Sequence, residues 1–141
     1  IDDIFLIWIG DEISLKDFVQ YLHDVQTTLN FTVNWSKDTM NFLDLIIKQN
    51  DGKLITTLYR KKTDKNTLLE YRSFHPRSLK DGLPYGQFLR IRRNCSRKED
   101  YFMEAELLKE RLRERGYRKG LIKRALERAW YNPREEILQG N

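Results

Sequence analysis

Residues 104–130 read EAELLKERLRERGYRKGLIKRALERAW, and the spacing of their apolar residues decides how the second half of the chain folds. Together with Tyr101, the residues Ala105, Leu108 and Leu112 recur at helical spacing, which places them on one face. Gly116 stands where the stripe would continue, and glycine ends helices because it enters a left-handed turn without a side-chain clash. Beyond it, Leu121, Ile122, Ala125 and Ala129 form a second stripe on a helix that runs from about Tyr117 to just before Asn132-Pro133. Two short amphipathic helices joined at a glycine need a further element to bury against.

That element lies upstream. RSLKDGLPYGQFLRIRRN, residues 77–94, reads as a helix interrupted near Gly82 and Pro84, because proline lacks a donor and disfavours helix at the residue before it. SRKE, from Ser96 to Glu99, has the spacing of a capping box and should open the next helix. Residues 77–132 are therefore expected to form a basic three-helix bundle, with 133–141 starting a linker.

The first half has a different grammar. IFLIWI, residues 4–9, is a short apolar run ended by Gly10 and reads as a buried strand. In SLKDFVQYLHDVQTTL, Leu15, Phe18, Val19, Leu22, Val25 and Leu29 line one helical face, with Ser14 as N-cap and His23 off the stripe in solvent. FTVNWS alternates Phe31, Val33 and Trp35 inward as a strand. MNFLDLIIK and KLITTLYR follow as strands joined by QNDG, whose Asp-Gly favours a hairpin turn. The order is strand, helix, strand and hairpin over 1–60, then an aperiodic connector over 61–76, then helices: an α+β chain.

Charge divides the same way. Residues 1–75 carry 9 Lys/Arg against 11 Asp/Glu, whereas 76–141 carry 17 against 10, which accounts for the net +5. A basic helical half joined to an acidic, apolar half suits a module that meets a polyanion on one side and packs on the other; the plainer reading is a set of solvated helices. One cysteine and two histidines exclude an internal disulfide and give no zinc-ligand spacing. Cys95, beside Arg93, reads as a structural thiol near a helix end. No apolar run approaches the roughly eighteen residues of a membrane span, so a reducing intracellular compartment is expected.

Asp2 and Asp3 precede the first apolar run. Paired carboxylates at a turn suit a hard divalent cation such as Mg²⁺, although an ordinary polar turn has the same composition.

Several stretches taken in order carry a resemblance. IDDIFLIW resembles the Asp-Asp metal motif of reverse transcriptases. NFLDLII, GKLITTLYRKKTDKNTLLEYRSFHP, LPYGQFLRIRRNCS and LKERLRERGYRKGLI resemble the palm end and thumb of the Penelope-like retroelement enzymes of animals, over nearly the whole chain. The resemblance implies a partial palm followed by a thumb-like bundle within an RNA-directed DNA polymerase, working in the nucleus on an RNA template and DNA primer with Mg²⁺ and deoxynucleotides. It implies Asp2 and Asp3 as metal ligands, and Lys37 as the lysine that protonates the pyrophosphate leaving group. Phe42 and Leu43 would belong to the primer-grip hairpin, where Asp44 replaces the glycine of many relatives. Upstream palm and fingers would complete the site, so this piece alone is expected to be inactive.

For phosphate contact the candidates are Gln87, Arg90, Arg92, Arg93, Arg97 and Lys98, extended by Arg118, Lys119, Lys123 and Arg124 on the last helix. Arg111, Arg113 and Arg115 alternate with Glu110 and Glu114 and read as a salt-paired surface. Two helices around Gly116 with a basic second helix also look like a helix-turn-helix. The alternative function is accordingly a non-catalytic nucleic-acid-binding module. The last helix lacks the Asn or Gln that pair with adenine, which favours backbone contact over base reading.

Overall fold

The computed structural model describes residues 3–25, 28–61 and 63–139. The chain is α+β and divides into two compact units, 1–37 and 38–141. The boundary falls ahead of the hairpin and not within 61–76, because the hairpin packs on the helices that follow it.

The first unit is built on α1, Glu12–Val25. Its cap is Asp11, whose Oδ1 accepts the Ser14 amide at 2.8 Å, so Ser14 lies inside the helix and does not cap it. That hydrogen bond also holds the Asp11 carboxyl below the usual carboxylate range. The Ser14 hydroxyl accepts from Trp8 Nε1 at 3.2 Å, and Trp8 stacks on Phe18 at 5.2 Å. His23 is not a free surface residue. Its Nε2 lies 3.0 Å from the backbone N and O of Phe31, bonding one or the other according to tautomer, and its ring stacks on Phe31.

Neither strand expected in this unit is present. Residues 4–9 and 31–36 have no strand structure, and Ile4, Leu6, Ile7, Ile9, Val33 and Trp35 are exposed. A strand exists only as part of a ladder, and apolar pattern alone does not supply one. Asp2 lies outside the described residues.

The second unit opens with a three-stranded antiparallel sheet in the order β1-β2-β3: β1 Thr39–Phe42, β2 Leu45–Asn50 and β3 Lys53–Leu58. MNFLDLIIK is thus two strands, folded at Leu43-Asp44 with Phe42 opposite Leu45. At the second turn Asn50 pairs Lys53, and Asp51 and Gly52 have φ of 47° and 74°, the two left-handed residues that a type I′ hairpin turn requires.

Four helices follow: α2 Arg77–Asn94, α3 Lys98–Glu114, α4 Lys119–Tyr131 and the short α5 Arg134–Gln139, which occupies the expected linker. α2 is continuous through Pro84. The proline ring is fully buried, and that burial offsets the backbone hydrogen bond it cannot make. The core joins Leu58 of β3 with Phe88, Ile91 and Cys95, then Tyr101, Ala105, Leu108 and Leu112 of α3, then Tyr117, Ile122, Ala125 and Ala129. The stripes on either side of Gly116 are therefore the inner faces of α3 and α4.

Ser96 does not cap α3, whose N-cap is Arg97 without a side-chain cap bond. It pairs instead with β3: its amide donates to Thr56 O at 2.9 Å and its hydroxyl accepts the Thr56 amide at 2.9 Å. The corner between α2 and α3 thereby covers the edge of β3.

Gly116, φ 82°, ends α3 in a Schellman motif: its amide donates to Arg113 O at 2.9 Å, and the Tyr117 amide to Leu112 O at 3.1 Å. The preceding segment braces this joint. The Tyr71 amide donates to Arg115 O at 2.9 Å, and the Tyr71 and Tyr117 rings meet edge to face at 5.2 Å. Asn66 Nδ2 donates to Arg111 O and Glu114 Oε2. Arg111 pairs with Asp64 at 2.9 Å and Arg115 with Glu70 at 3.2 Å, so these arginines find their acids on the connector and not along their own helix.

Candidate nucleic-acid interface

The basic residues expected to contact phosphate fall into three places in the second unit. The first is α4. With Ile122, Ala125 and Ala129 inward, helical geometry turns Lys119, Lys123, Arg124, Glu127, Arg128 and Tyr131 to solvent. Arg118 is the N-cap, with no side-chain cap bond, and the first turn holds no acid. Two cations are engaged: Lys123 pairs with Glu127 at 3.8 Å, and the Arg128 guanidinium lies 4.1 Å from the Tyr85 ring centroid. Arg118, Lys119 and Arg124 are exposed with no ion-pair partner among the described residues. Arg118 and Lys119 therefore stand at the positive end of the helix, where backbone amides and dipole favour an anion, and Arg124 follows in the second turn.

The second place is a cleft of about 540 Å³ in which the first turn of the sheet meets α2. Leu43, Asp44, Gln87 and Arg90 line it over a floor that includes Leu58, Leu83, Ile91 and Leu108. Arg90 is ion-paired with Asp44, both half exposed or more. Leu43 is exposed at a left-handed φ of 52°, a conformation that costs a branched side chain about 1–2 kcal/mol. Phe42, at the end of β1, is half-buried.

The third is the start of α3. Arg97 grips Asp100 through two bonds of 2.8 and 3.0 Å, a pairing that raises the guanidinium pKa further. Lys98 lies over Phe102 and Trp130 at 5.9 and 5.6 Å. Arg92 does not share the exposed face expected of it. It is half-buried against Trp130 at 4.7 Å and Tyr101 at 5.7 Å, with its Nε enclosed. Cation–π attraction to two rings stands in for solvent there. Arg93 is exposed, and its carbonyl accepts Arg134 Nε at 3.1 Å.

The expected phosphate contacts thus separate into Arg118, Lys119, Lys123 and Arg124 on α4, Gln87 and Arg90 in the cleft with Leu43, and Arg97 and Lys98 at α3. Sequence reasoning misses Arg128, although its spacing from Arg124 is a signal that could find it. In the first unit Asp3 and Lys37 are exposed. Among the described residues no group of three or more His, Cys, Asp or Glu is placed to hold a metal, and no helix is long and apolar enough to cross a membrane.

Cys95 is fully buried, with Thr57 Oγ1 3.7 Å from its sulfur, and burial pushes its thiol pKa up. It is part of the core.

No curated protein and no solved structure matches the chain. Residues 67–127, which take in the brace at Tyr71, all of α2 and α3 and most of α4, match the family model of the animal helix-turn-helix domain.

Proposed function

We infer that the helical half is a nucleic-acid-binding module of helix-turn-helix type, which sets the N-terminal half of α4 against backbone phosphates. The observation that carries this is the exposed trio Arg118, Lys119 and Arg124, without ion-pair partners among the described residues, along the N-terminal half of α4 whose first turn holds no acid, within the stretch that matches the helix-turn-helix family model. Guanidinium and ammonium groups on phosphate oxygens give affinity without reading sequence.

The test is the salt dependence of duplex binding by fluorescence anisotropy. If each of the three contacts one phosphate of B-DNA, changing all of them to Ala lowers the slope of log K against log salt by about 2.7. A slope equal to the wild type's would refute the contact.

A finer reading places this module as the thumb of a Penelope-like reverse transcriptase, with residues 1–60 as the end of its palm. Support comes from the ordered sequence resemblance and from the cleft that joins Leu43 with Gln87 and Arg90, as a primer grip beside a thumb requires. In this reading Asp2 and Asp3 bind Mg²⁺ and Lys37 serves the leaving group. The carboxylate of Asp3 is a hard oxygen donor of the right kind, but among the described residues it stands without the further carboxylates that a Mg²⁺ site takes. Those carboxylates would have to come from the upstream palm. The test is nucleotide incorporation by this chain joined to the fingers and first palm strand of such an enzyme. Asp2→Asn or Asp3→Asn should abolish incorporation and leave duplex binding intact; incorporation that survives both changes would sink the polymerase reading.

A further inference from the structure

We propose that Phe74 is a base-stacking residue, which takes an unpaired nucleobase where a single strand leaves a duplex held at the start of α4. This rests on the nucleic-acid reading above and adds a contact that phosphate binding alone lacks.

Phe74 has a relative exposure of 110%, above every other large hydrophobic side chain among the described residues. It is not on a loose loop. The Ser73 amide and hydroxyl donate to Glu70 O at 3.1 and 2.7 Å, Lys80 Nζ donates to Ser73 O at 2.8 Å, and His75 Nδ1 lies 3.1 Å from Ser73 Oγ. The same turn is tied to the helix joint through Tyr71, whose amide donates to Arg115 O and whose hydroxyl donates to Asp81 Oδ1 at 2.8 Å. Arg118 and Lys119 follow that joint directly. The turn that carries this outward aromatic ring is therefore tied to the joint after which the free cations of α4 follow.

The surroundings select the partner. Arg72 and Arg77 lie on either side of Phe74 in the sequence and are exposed. The nearby acids are engaged: Glu70 pairs with Arg115 at 3.2 Å, and Asp81 accepts Tyr71 and pairs with Arg77 at 3.4 Å. Arginines on both sides of one exposed aromatic residue match a ligand that carries phosphates beside a flat π-face. An apolar protein surface would have to bury those cations. One ring takes one base, and stacking tolerates any base because each has a π-face. A backbone turn already fixed by its hydrogen bonds loses little further freedom on binding.

The experiment compares the 141-residue chain with Phe74→Ala and Phe74→Trp on a blunt duplex and on the same duplex with a single-stranded overhang. 2-Aminopurine is the first unpaired base, and circular dichroism confirms that each variant is folded. The wild type should bind the overhang form more tightly and quench the probe. Phe74→Ala should weaken overhang binding roughly 5- to 150-fold with an unchanged salt slope and lose the quench, while Phe74→Trp keeps both. Equal affinity of Phe74→Ala and wild type for the overhang, or an equal loss on blunt duplex, would overturn the stacking role while leaving the phosphate interface standing. Absence of binding to either duplex by the wild type would overturn the nucleic-acid reading, and stacking with it.

Discussion

Replacing Tyr101 by Phe should leave the protein as stable at neutral pH, or slightly more so, and should remove part of its sensitivity to alkali. The Tyr101 hydroxyl is buried in the core with no hydrogen-bond partner among the described residues, so its removal relieves a desolvated polar group without opening a cavity. Burial raises its pKa from the ordinary 10.0 to about 12, against the opposing effect of Arg92. The sign follows from the folded pKa lying above the unfolded one. The neutral phenol is favoured in the fold, its contribution is complete below pH 10, and it is lost as pH rises from 10 toward 12. At pH 11 the wild type should have lost about 1.4 kcal/mol relative to Tyr101→Phe. Urea unfolding of both proteins from pH 7 to 11 measures the difference directly, and subtraction cancels the titration of Lys and of Tyr117, whose pKa burial also raises. Parallel stability curves across that range, or a Tyr101→Phe protein much less stable at pH 7, would refute the reasoning.

Gly116→Ala should cost about 1–2 kcal/mol from backbone strain alone, since the added Cβ would meet Tyr71 Cβ at an ordinary 3.7 Å and φ is 82°. A shift in the urea midpoint at constant m-value measures it, and no shift would mean that the joint rearranges freely. Native Cys95 should resist Ellman's reagent and react only as the chain unfolds, because its thiol is buried and its pKa raised. Rapid labelling in the absence of denaturant would place it outside the core.

What could be read in the sequence was what repeats locally. The stripes Tyr101-Ala105-Leu108-Leu112 and Ile122-Ala125-Ala129 and the stop at Gly116 follow from helix period and backbone sterics, and the Asp51-Gly52 turn from the same sterics. What could not be read depended on partners distant in sequence. Ser96 has the composition of a cap but bonds to Thr56, forty residues away along the chain. Arg111 and Arg115 match local acids by spacing yet bind Asp64 and Glu70. Pro84 looks like a break because a rule about backbone donors knows nothing of the core around its ring. Of the candidate interface, the basic character of α4 was visible in its residues. The diversion of Arg92 to Trp130, and of Arg90 to Asp44, needed the tertiary arrangement.

The brace from Asn66 to Tyr71 has a consequence for where this module can be cut. The joint between α3 and α4 is gripped from outside by Asn66 on Arg111 and Glu114 and by Tyr71 on Arg115. A segment without helix or strand is thus the outer wall of a helical joint. The match to the helix-turn-helix family likewise begins at residue 67, ten residues ahead of α2. The portable piece therefore starts in what looks like a linker. A graft begun at Arg77, where α2 starts, would carry α2 to α5 and leave behind the strap that grips the joint between α3 and α4.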